Sequence, residues 1–138
     1  MNESDFLDSN VLVYAYDLRD HRKRDIARKL LMSALRGECT VSVQVLTEVA
    51  ATLLHNVSPR FSTDEVVDIL DLLRPIRIIC PDADTVRRAI QARAAYGVHF
   101  FDGMILAAAE RAGCRRILSE DLNAGQEYFG IKVENPFV

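Results

Sequence analysis

The feature that most constrains the fold is an alternation of short strand-like runs with longer stretches of helical periodicity. The runs are rich in β-branched and other apolar residues, and polar or turn-forming residues bound them. The segments between them repeat apolar side chains every three or four residues, as amphipathic helices do. Five such runs lie at residues 6–7, 40–43, 77–80, 114–118 and 131–133. Because strands that alternate with helices pair in parallel, we predict an α/β three-layer sandwich, with a mostly parallel central sheet flanked by helices on both faces.

Capping residues predict where the helices begin and end. Ser, Thr and Asp side chains accept hydrogen bonds from the free amides of a first turn, whereas glycine takes the left-handed conformation that follows many helices. By these signals, predicted helices begin after Ser42, after Thr63 and after either Asp82 or Asp84. The last of these ends near Gly97, and two further helices end before Gly37 and Gly113. Segment 11–16 (VLVYAY) stays open between a strand and a buried helix, because its periodicity fits both.

The chain has the size of one domain and shows no internal boundary. Its 138 residues contain no repeat, no low-complexity tract and no linker rich in Gly, Ser or Pro. We therefore predict a single domain spanning residues 1–138. No segment approaches the roughly 20 apolar residues that cross a bilayer, and the acidic N-terminus lacks the pattern of a signal peptide. These features predict a cytoplasmic protein without membrane contact.

The cysteines predict buried thiols rather than a disulfide or a zinc site. Cys39, Cys80 and Cys114 are an odd number, lie far apart in the sequence and each adjoin an apolar run. A free cysteine in such surroundings behaves as a small apolar residue. We expect all three to be reduced and buried.

Four acidic residues are candidates for a functional site: two follow predicted strands, at the edge where a parallel sheet gathers its functional groups, and two lie in apolar helices. Asp8 follows the first predicted strand, and Asp121 comes shortly after the strand that ends at Leu118. Glu48 lies among apolar neighbours (VLTEVAATLL), and Asp102 follows two phenylalanines at the start of an apolar helix. Carboxylates among apolar residues repel one another unless a cation binds them. We therefore predict that these four acids form one metal-binding catalytic site.

Each acid also has a purely structural alternative. Asp8 and Asp102 are each suited to cap a helix, and Asp121 fits a polar turn. Glu48 could pair with a basic residue. The joint placement of the four residues, rather than any one of them, favours the functional interpretation.

The ligand types indicate the metal and the reaction. Oxygen ligands without nearby histidine or thiolate prefer Mg²⁺ or Mn²⁺ to zinc, and such sites hydrolyse phosphodiesters with metal-activated water. The net charge of −3 excludes a protein that coats nucleic acid through bulk positive charge. It is compatible with a nuclease if basic residues surround the acidic site. The basic cluster between Arg19 and Lys29 could serve there, or it could be only the solvated face of a helix.

Two segments in the first half of the chain carry the acids in a recognisable order. FLDSNVLVYAYD contains Asp8, Ser9 and Asn10, and VSVQVLTEV contains Glu48. These segments resemble the first and second motifs of PIN-domain ribonucleases, and most of all those of the VapC-type toxins of bacterial and archaeal toxin–antitoxin pairs. The resemblance extends over essentially the whole chain.

The second half of the chain resembles the same family. FFDGMILAAAERAGCRRILSEDL is similar to the third and fourth motifs, with Asp102 as the first acid and Ser119 and Asp121 as the later polar pair. The ending GIKVENPF is similar to the terminal strand and tail. Gly103 departs from the family, which usually has a small residue such as Ala after this aspartate, and Ser replaces the commoner Thr at two sites. Serine has the same hydroxyl group as threonine, so these replacements preserve the chemistry.

The resemblance implies that the four acids coordinate Mg²⁺, with Mn²⁺ able to substitute, while Asn10 and Ser119 support the shell. It implies an endoribonuclease that acts on an RNA substrate as the toxin of a type II, VapBC-like toxin–antitoxin system. It also implies a homodimer and a small cognate antitoxin. The alternative is a catalytically silent PIN-like module that binds RNA or protein. Such modules generally lack one or more of the acids, whereas this sequence has all four.

Other polar and aromatic residues carry less weight. His55 lies seven residues after Glu48 on a similar helix face, so it is the histidine that merits a test. Glu120 is left out of the site because an extended segment would point it away from Ser119 and Asp121. The first helices and residues 64–73 are candidates for dimer contact. Core packing is expected for Tyr14, Tyr16, Phe100 and Phe101, with base stacking as the alternative.

Overall fold

The structure is a computed structural model and describes residues 4–57 and 59–138. Within these ranges the chain forms six strands and six helices. The strands are β1 (Asp5–Leu7), β2 (Cys39–Ser42), β3 (Arg77–Ile79), β4 (Arg116–Leu118), β5 (Glu127–Tyr128) and β6 (Ile131–Glu134). The helices are α1 (Ser9–Tyr14), α2 (His21–Leu35), α3 (Val43–His55), α4 (Thr63–Leu72), α5 (Ala83–Tyr96) and α6 (Phe100–Arg111).

The strands of the described chain form one sheet in the order β3-β2-β1-β4-β6-β5. All neighbouring strands pair in parallel except β5 and β6, which are antiparallel. Leu7, the last residue of β1, pairs with Leu118, the last residue of β4. The segments that follow β1 and β4 therefore leave the sheet side by side at its centre. The predicted α/β fold with a mostly parallel sheet is confirmed.

Helices cover both faces of the central strands. Successive side chains of a strand point to opposite faces, and all four residues of β2 are buried. The same holds for Phe6 and Leu7 of β1, which have no exposed surface. Strands buried on both sides are typical of parallel sheets between helical layers. The polar groups at their carboxyl ends are consequently held on a rigid base.

Segment 11–16, which the sequence left open, belongs mainly to a helix. Asp8 is the N-cap of α1, and Val11 and Leu12 of this helix are fully buried. Two apolar residues in succession can both be buried on a short helix that the core surrounds. Periodicity could not separate this case from a buried strand.

Most helix ends lie where the capping residues place them, with one shift. Ser42 caps α3, Asp82 caps α5, and Gly97 takes the left-handed conformation after α5. The N-cap of α4 is Ser62 and not Thr63, because Ser62 forms a capping box with Glu65. The short strand β5 was not predicted. Its two residues are too few for a periodic signal.

Cys80 contradicts the prediction that all three cysteines are buried. The three thiols are free, and Cys39 and Cys114 are buried, but Cys80 is exposed. Cys80 directly follows β3, which lies at the edge of the sheet and is only partly covered. In the described part of the chain, no helix is long and apolar enough to span a membrane.

Candidate active site

Asp8 lies at the centre of the carboxyl edge of the sheet, between β1 and α1. Its side chain is buried, with 6% of the residue exposed. One carboxylate oxygen accepts a hydrogen bond from the Ser9 amide at 2.8 Å, and the other accepts from the Ser119 hydroxyl at 2.7 Å. The backbone amide of Asp8 donates to the Leu118 carbonyl at 3.0 Å, which continues the β1–β4 pairing. The carboxylate is thus fixed from both strands.

Ser119 and Asn10 tie the turn after β4 to α1. The fully buried Ser119 hydroxyl donates to Asp8 and accepts from the Asp121 amide at 3.1 Å. The Asn10 side-chain amide donates to the Asp121 carboxylate at 3.0 Å. The Asn10 carbonyl oxygen accepts from the Glu120 backbone amide at 3.2 Å. These contacts place Asp121 beside Asp8 even though the sequence separates them by more than a hundred residues.

Glu48 reaches the same edge from α3. Its two carboxylate oxygens accept hydrogen bonds from the Ser9 hydroxyl at 2.8 Å and from the Gln44 side chain at 2.9 Å. No ion pair within residues 4–57 and 59–138 involves Glu48. The alternative that Glu48 serves only to pair with a basic residue is therefore wrong for the described chain.

Asp102 is the third residue of α6 and does not cap it. The N-cap is His99, whose ring nitrogen accepts from the Phe101 amide. The structural alternative for Asp102 is thus wrong. The next residue, Gly103, packs against α5 so closely that an added Cβ would lie 2.6 Å from the Ala89 carbonyl oxygen. This close approach of α5 and α6 helps to fix where α6 begins, and hence where Asp102 lies.

The four acids share one electrostatic environment. Burial raises the pKa of Asp8 to about 6, the Ser119 and Ser9 hydrogen bonds oppose the rise, and the charges of Glu48 and Asp121 add to it. Burial also raises the pKa of Asp102, His99 lowers it, and Glu48 and Asp121 raise it. The same two carboxylates therefore act on both aspartates. A group of anions that raise one another's cost of ionisation is suited to bind a cation.

A comparison with models of protein families decides the identity. The model of the PIN domain matches residues 6–126, which is most of the chain. The chain belongs to the PIN domain family. The resemblance that the sequence motifs carry is thereby confirmed. Among curated proteins, none matches this chain.

Solved structures share the fold of this PIN domain at low sequence identity. A toxin–antitoxin complex from Klebsiella pneumoniae is 19% identical, with a TM-score of 0.72 over 96% of this chain and 98% of that chain. A DNA-bound VapBC from Salmonella typhimurium is 16% identical, with a TM-score of 0.68 over 96% and 98%. The sarcin-ricin loop cleaving toxin VapC20 from Mycobacterium tuberculosis is 19% identical, with a TM-score of 0.68 over 94% and 99%. These similarities establish a common fold.

The carboxylates of this PIN domain suit a hard divalent cation by their chemistry, although they do not form a closed cluster. In the described ranges, no three acidic, histidine or cysteine side chains have the spacing of a metal site. Each carboxylate oxygen of Asp8 and Glu48 accepts one hydrogen bond. Each of these oxygens also has a second lone pair, which could bind a cation. Oxygen ligands of this kind match Mg²⁺ or Mn²⁺. A cation held by three of these carboxylates would need them closer together than they lie in this structure.

Gln44 is the residue of the site that sequence reasoning missed. Its side-chain amide donates to Glu48 at 2.9 Å and to the Phe101 carbonyl oxygen at 3.0 Å, so it joins α3 to the start of α6. Its position four residues before Glu48 on one helix face was the available signal. His55, by contrast, is exposed at the end of α3.

Glu120 lies outside the acidic group, as the sequence predicts, but it has a partner of its own. It forms an ion pair with Lys23 and accepts a hydrogen bond from the Tyr14 hydroxyl at 2.7 Å. Another member of the basic cluster, Arg19, pairs with Asp17 at 2.6 Å. Part of the positive charge near the acidic group is therefore already compensated within the fold.

Proposed function

We propose that this PIN domain is a Mg²⁺- or Mn²⁺-dependent endoribonuclease. The observation that carries the proposal is the gathering of Asp8, Glu48, Asp102 and Asp121, from four separate segments, at the carboxyl edge of a parallel sheet. Structural carboxylates are expected to pair with bases, whereas Asp8 and Glu48 are held by neutral donors and keep their charge for another partner. A cation is the partner that makes such an arrangement favourable.

In this proposal the four acids hold the cation, and Ser119 and Asn10 support them. When bound, the cation supplies Lewis-acid stabilisation of the phosphodiester and a more acidic water molecule. Ser119 orients Asp8 by donating to one of its oxygens, and Asn10 orients Asp121 in the same way. Because the pKa of Asp8 is about 6, this carboxylate is mostly ionised at neutral pH and competes with protons only in mildly acidic solution.

We propose that the physiological role is that of a toxin controlled by a small cognate antitoxin, with the active form a homodimer. Support for this role comes from the fold shared with proteins described as toxin–antitoxin and VapBC complexes. For the RNA substrate, support comes from VapC20, which is described as a sarcin-ricin loop cleaving toxin. Induced expression of the wild type should arrest growth, and co-expression of a neighbouring small gene product should restore it.

The decisive experiment measures cleavage of total RNA by the purified protein in Mg²⁺ or Mn²⁺. Wild type is compared with Asp8→Ala and Asp102→Asn, and EDTA is added in a parallel series. Asp84→Asn is the matched control, because Asp84 is an exposed acid at the start of α5. This end of α5 meets the last turn of α6, where Arg111 pairs with Asp82, and Asp102 lies at the other end of α6. Thermal unfolding of each variant shows whether a loss of activity reflects a loss of structure.

The proposal expects wild type and Asp84→Asn to cleave RNA, the Asp8 and Asp102 variants not to cleave it, and EDTA to stop all cleavage. Equal inactivity of wild type and the Asp8 and Asp102 variants on every RNA class, with all proteins folded, would instead favour a catalytically silent binding module. Cleavage that persists in both site variants would show a contaminating nuclease and would leave these acids without a catalytic role.

A further inference from the structure

Phe101 is an exposed aromatic residue at the border of the acidic group. Its side chain is on the first turn of α6, immediately before Asp102, and the residue is 59% exposed. The other aromatic residues considered for base stacking, Tyr14, Tyr16 and Phe100, are partly buried in the fold. Single exposed apolar residues are common on protein surfaces and usually carry no function. The surroundings of this one are different.

Phe101 and His99 form a stacked pair, which we call the aromatic platform. The two rings lie 5.7 Å apart between centroids, with an angle of 25° between their planes. Phe100 supports the Phe101 ring edge-to-face at 5.4 Å. The backbone of Phe101 is fixed at both polar atoms, since its amide donates to His99 and its carbonyl oxygen accepts from Gln44. A ring held in this way loses little conformational freedom when a ligand stacks on it.

The platform is connected to the acidic group through two of its carboxylates. Gln44 contacts both the Phe101 carbonyl oxygen and the Glu48 carboxylate. Asp102 directly follows Phe101 in the first turn of α6, and His99 is the N-cap of the same helix. A nucleotide whose phosphate lies at the acidic group would therefore have the platform beside it.

The charges of the chain favour a contact of this kind with a nucleic-acid substrate. The net charge is −3, so the bulk electrostatic attraction that dominates most nucleic-acid binding is missing. The nearby cations Lys23 and Arg19 are already paired with carboxylates. Stacking of bases on aromatic rings supplies affinity that does not depend on net charge. It needs an unpaired base, because bases within a duplex are already stacked on both faces.

We propose that the aromatic platform is a stacking subsite for an unpaired nucleobase next to the phosphodiester that is cut. The inference rests on the proposed function and adds a base-binding contact to it. A second protein chain is the less suitable occupant. The platform consists of two side chains, whereas a stable protein interface buries about 800 Å² on each partner.

The experiment combines cleavage kinetics on short single-stranded RNAs with the fluorescence of 2-aminopurine placed at each position in turn. Phe101→Leu keeps an apolar side chain and removes the ring, and Phe101→Tyr keeps the ring. Ile90→Ala is the matched control, because Ile90 is an exposed apolar residue on α5 with 56% of its surface exposed. Fluorescence is read with Ca²⁺ in place of Mg²⁺ so that binding is followed with little turnover, and sedimentation velocity gives the oligomeric state.

The proposal expects wild type to quench 2-aminopurine at one or two adjacent positions beside the cleaved bond. Phe101→Leu should lose this quenching and raise KM by about tenfold with little change in kcat, the size expected for one stacked base. Phe101→Tyr and Ile90→Ala should behave as wild type.

Three results would overturn the proposal. If Phe101→Leu leaves both KM and quenching unchanged, the subsite is rejected. Cleavage by wild type in the same experiment would still support the proposed function. A change in oligomeric state without a change in KM would assign Phe101 to a protein interface. Failure of wild type to cut or bind any RNA would remove the subsite together with the proposed function.

Discussion

Replacing Asp8 with asparagine should stabilise the fold at neutral pH while it removes the proposed activity. The folded protein holds the pKa of Asp8 at about 6, against an ordinary value of 3.8, because the carboxylate is buried near two other carboxylates. Between these values the native state binds more protons than the unfolded state, so wild-type stability falls as the pH rises through this window. The pKa is raised by about two units, and each unit corresponds to about 1.4 kcal/mol. The ionised Asp8 therefore lowers the free energy of unfolding by about 3 kcal/mol at pH 7 and above.

Asparagine avoids this cost but keeps only one of the two hydrogen bonds. The Ser9 amide and the Ser119 hydroxyl donate to different oxygens of the Asp8 carboxylate, and asparagine has one carbonyl oxygen. The Ser119 oxygen cannot accept from the new amide group, because it already accepts from the Asp121 and Leu122 amides. One hydrogen bond, worth about 1 kcal/mol, is therefore lost. Asparagine is also as good an N-cap as aspartate, so α1 should keep its start. We therefore expect a net gain of about 1–2 kcal/mol for Asp8→Asn at pH 7.5, and a net loss of about 1 kcal/mol at pH 4, where the ionisation cost is absent.

The assay is urea unfolding at several pH values from 4 to 8 in EDTA, for wild type, Asp8→Asn and the exposed control Asp68→Asn. The stability difference between Asp8→Asn and wild type should grow up to about pH 6 and then stay level. Asp68→Asn should follow wild type throughout. A difference that does not change with pH, or a loss of stability at pH 7.5, would refute the argument that burial and neighbouring charges strain the Asp8 carboxylate.

Three further predictions follow from single contacts. Ser119→Ala removes the hydroxyl that donates to Asp8, so the pKa of Asp8 should rise further above 6. The pH midpoint of Mn²⁺ binding should move upward with this pKa, and an unchanged midpoint in a titration would contradict the prediction. Gly103→Ala places a Cβ 2.6 Å from the Ala89 carbonyl oxygen, so it should separate α5 from α6 and lower the melting temperature by several degrees; an unaltered melting curve would show that the helices yield freely. Cys80 alone should react rapidly with a thiol reagent in the folded protein, because the other two cysteines are buried. Mass spectrometry of digested peptides measures the labelling, and equally rapid labelling of Cys39 or Cys114 would contradict the prediction.

Much of the site could be predicted because each acid is unusual in its own segment. Asp8 ends an apolar strand, and Glu48 and Asp102 interrupt apolar helices, so local sequence already made them hard to explain as surface residues. The structure adds that one residue can both cap a helix and belong to the acidic group. Asp8 is both an N-cap and a member of the acidic group, which shows that a capping signal does not argue against a functional role.

Other parts could not be predicted, since they depend on contacts between distant segments. Gln44 joins Glu48 to the backbone of Phe101 only because α3 and α6 meet at the same edge of the sheet. No signal at position 44 specifies a partner so far along the chain. The exposure of Cys80 likewise follows from the place of β3 at the edge of the sheet, which the order of strands in sequence does not give.

The sequence by itself determined most of the helices and strands, their parallel arrangement and the four candidate acids, because hydrophobic periodicity and capping act over short stretches of chain. Tertiary structure decided which of these groups meet. The central position of β1 beside β4 brings Ser119 and Asp121 to Asp8, and burial there raises the pKa of that carboxyl group. It also decided that Phe101 stays exposed while Phe100 is partly buried, since neighbouring positions on a helix face in different directions and only packing determines which direction is covered.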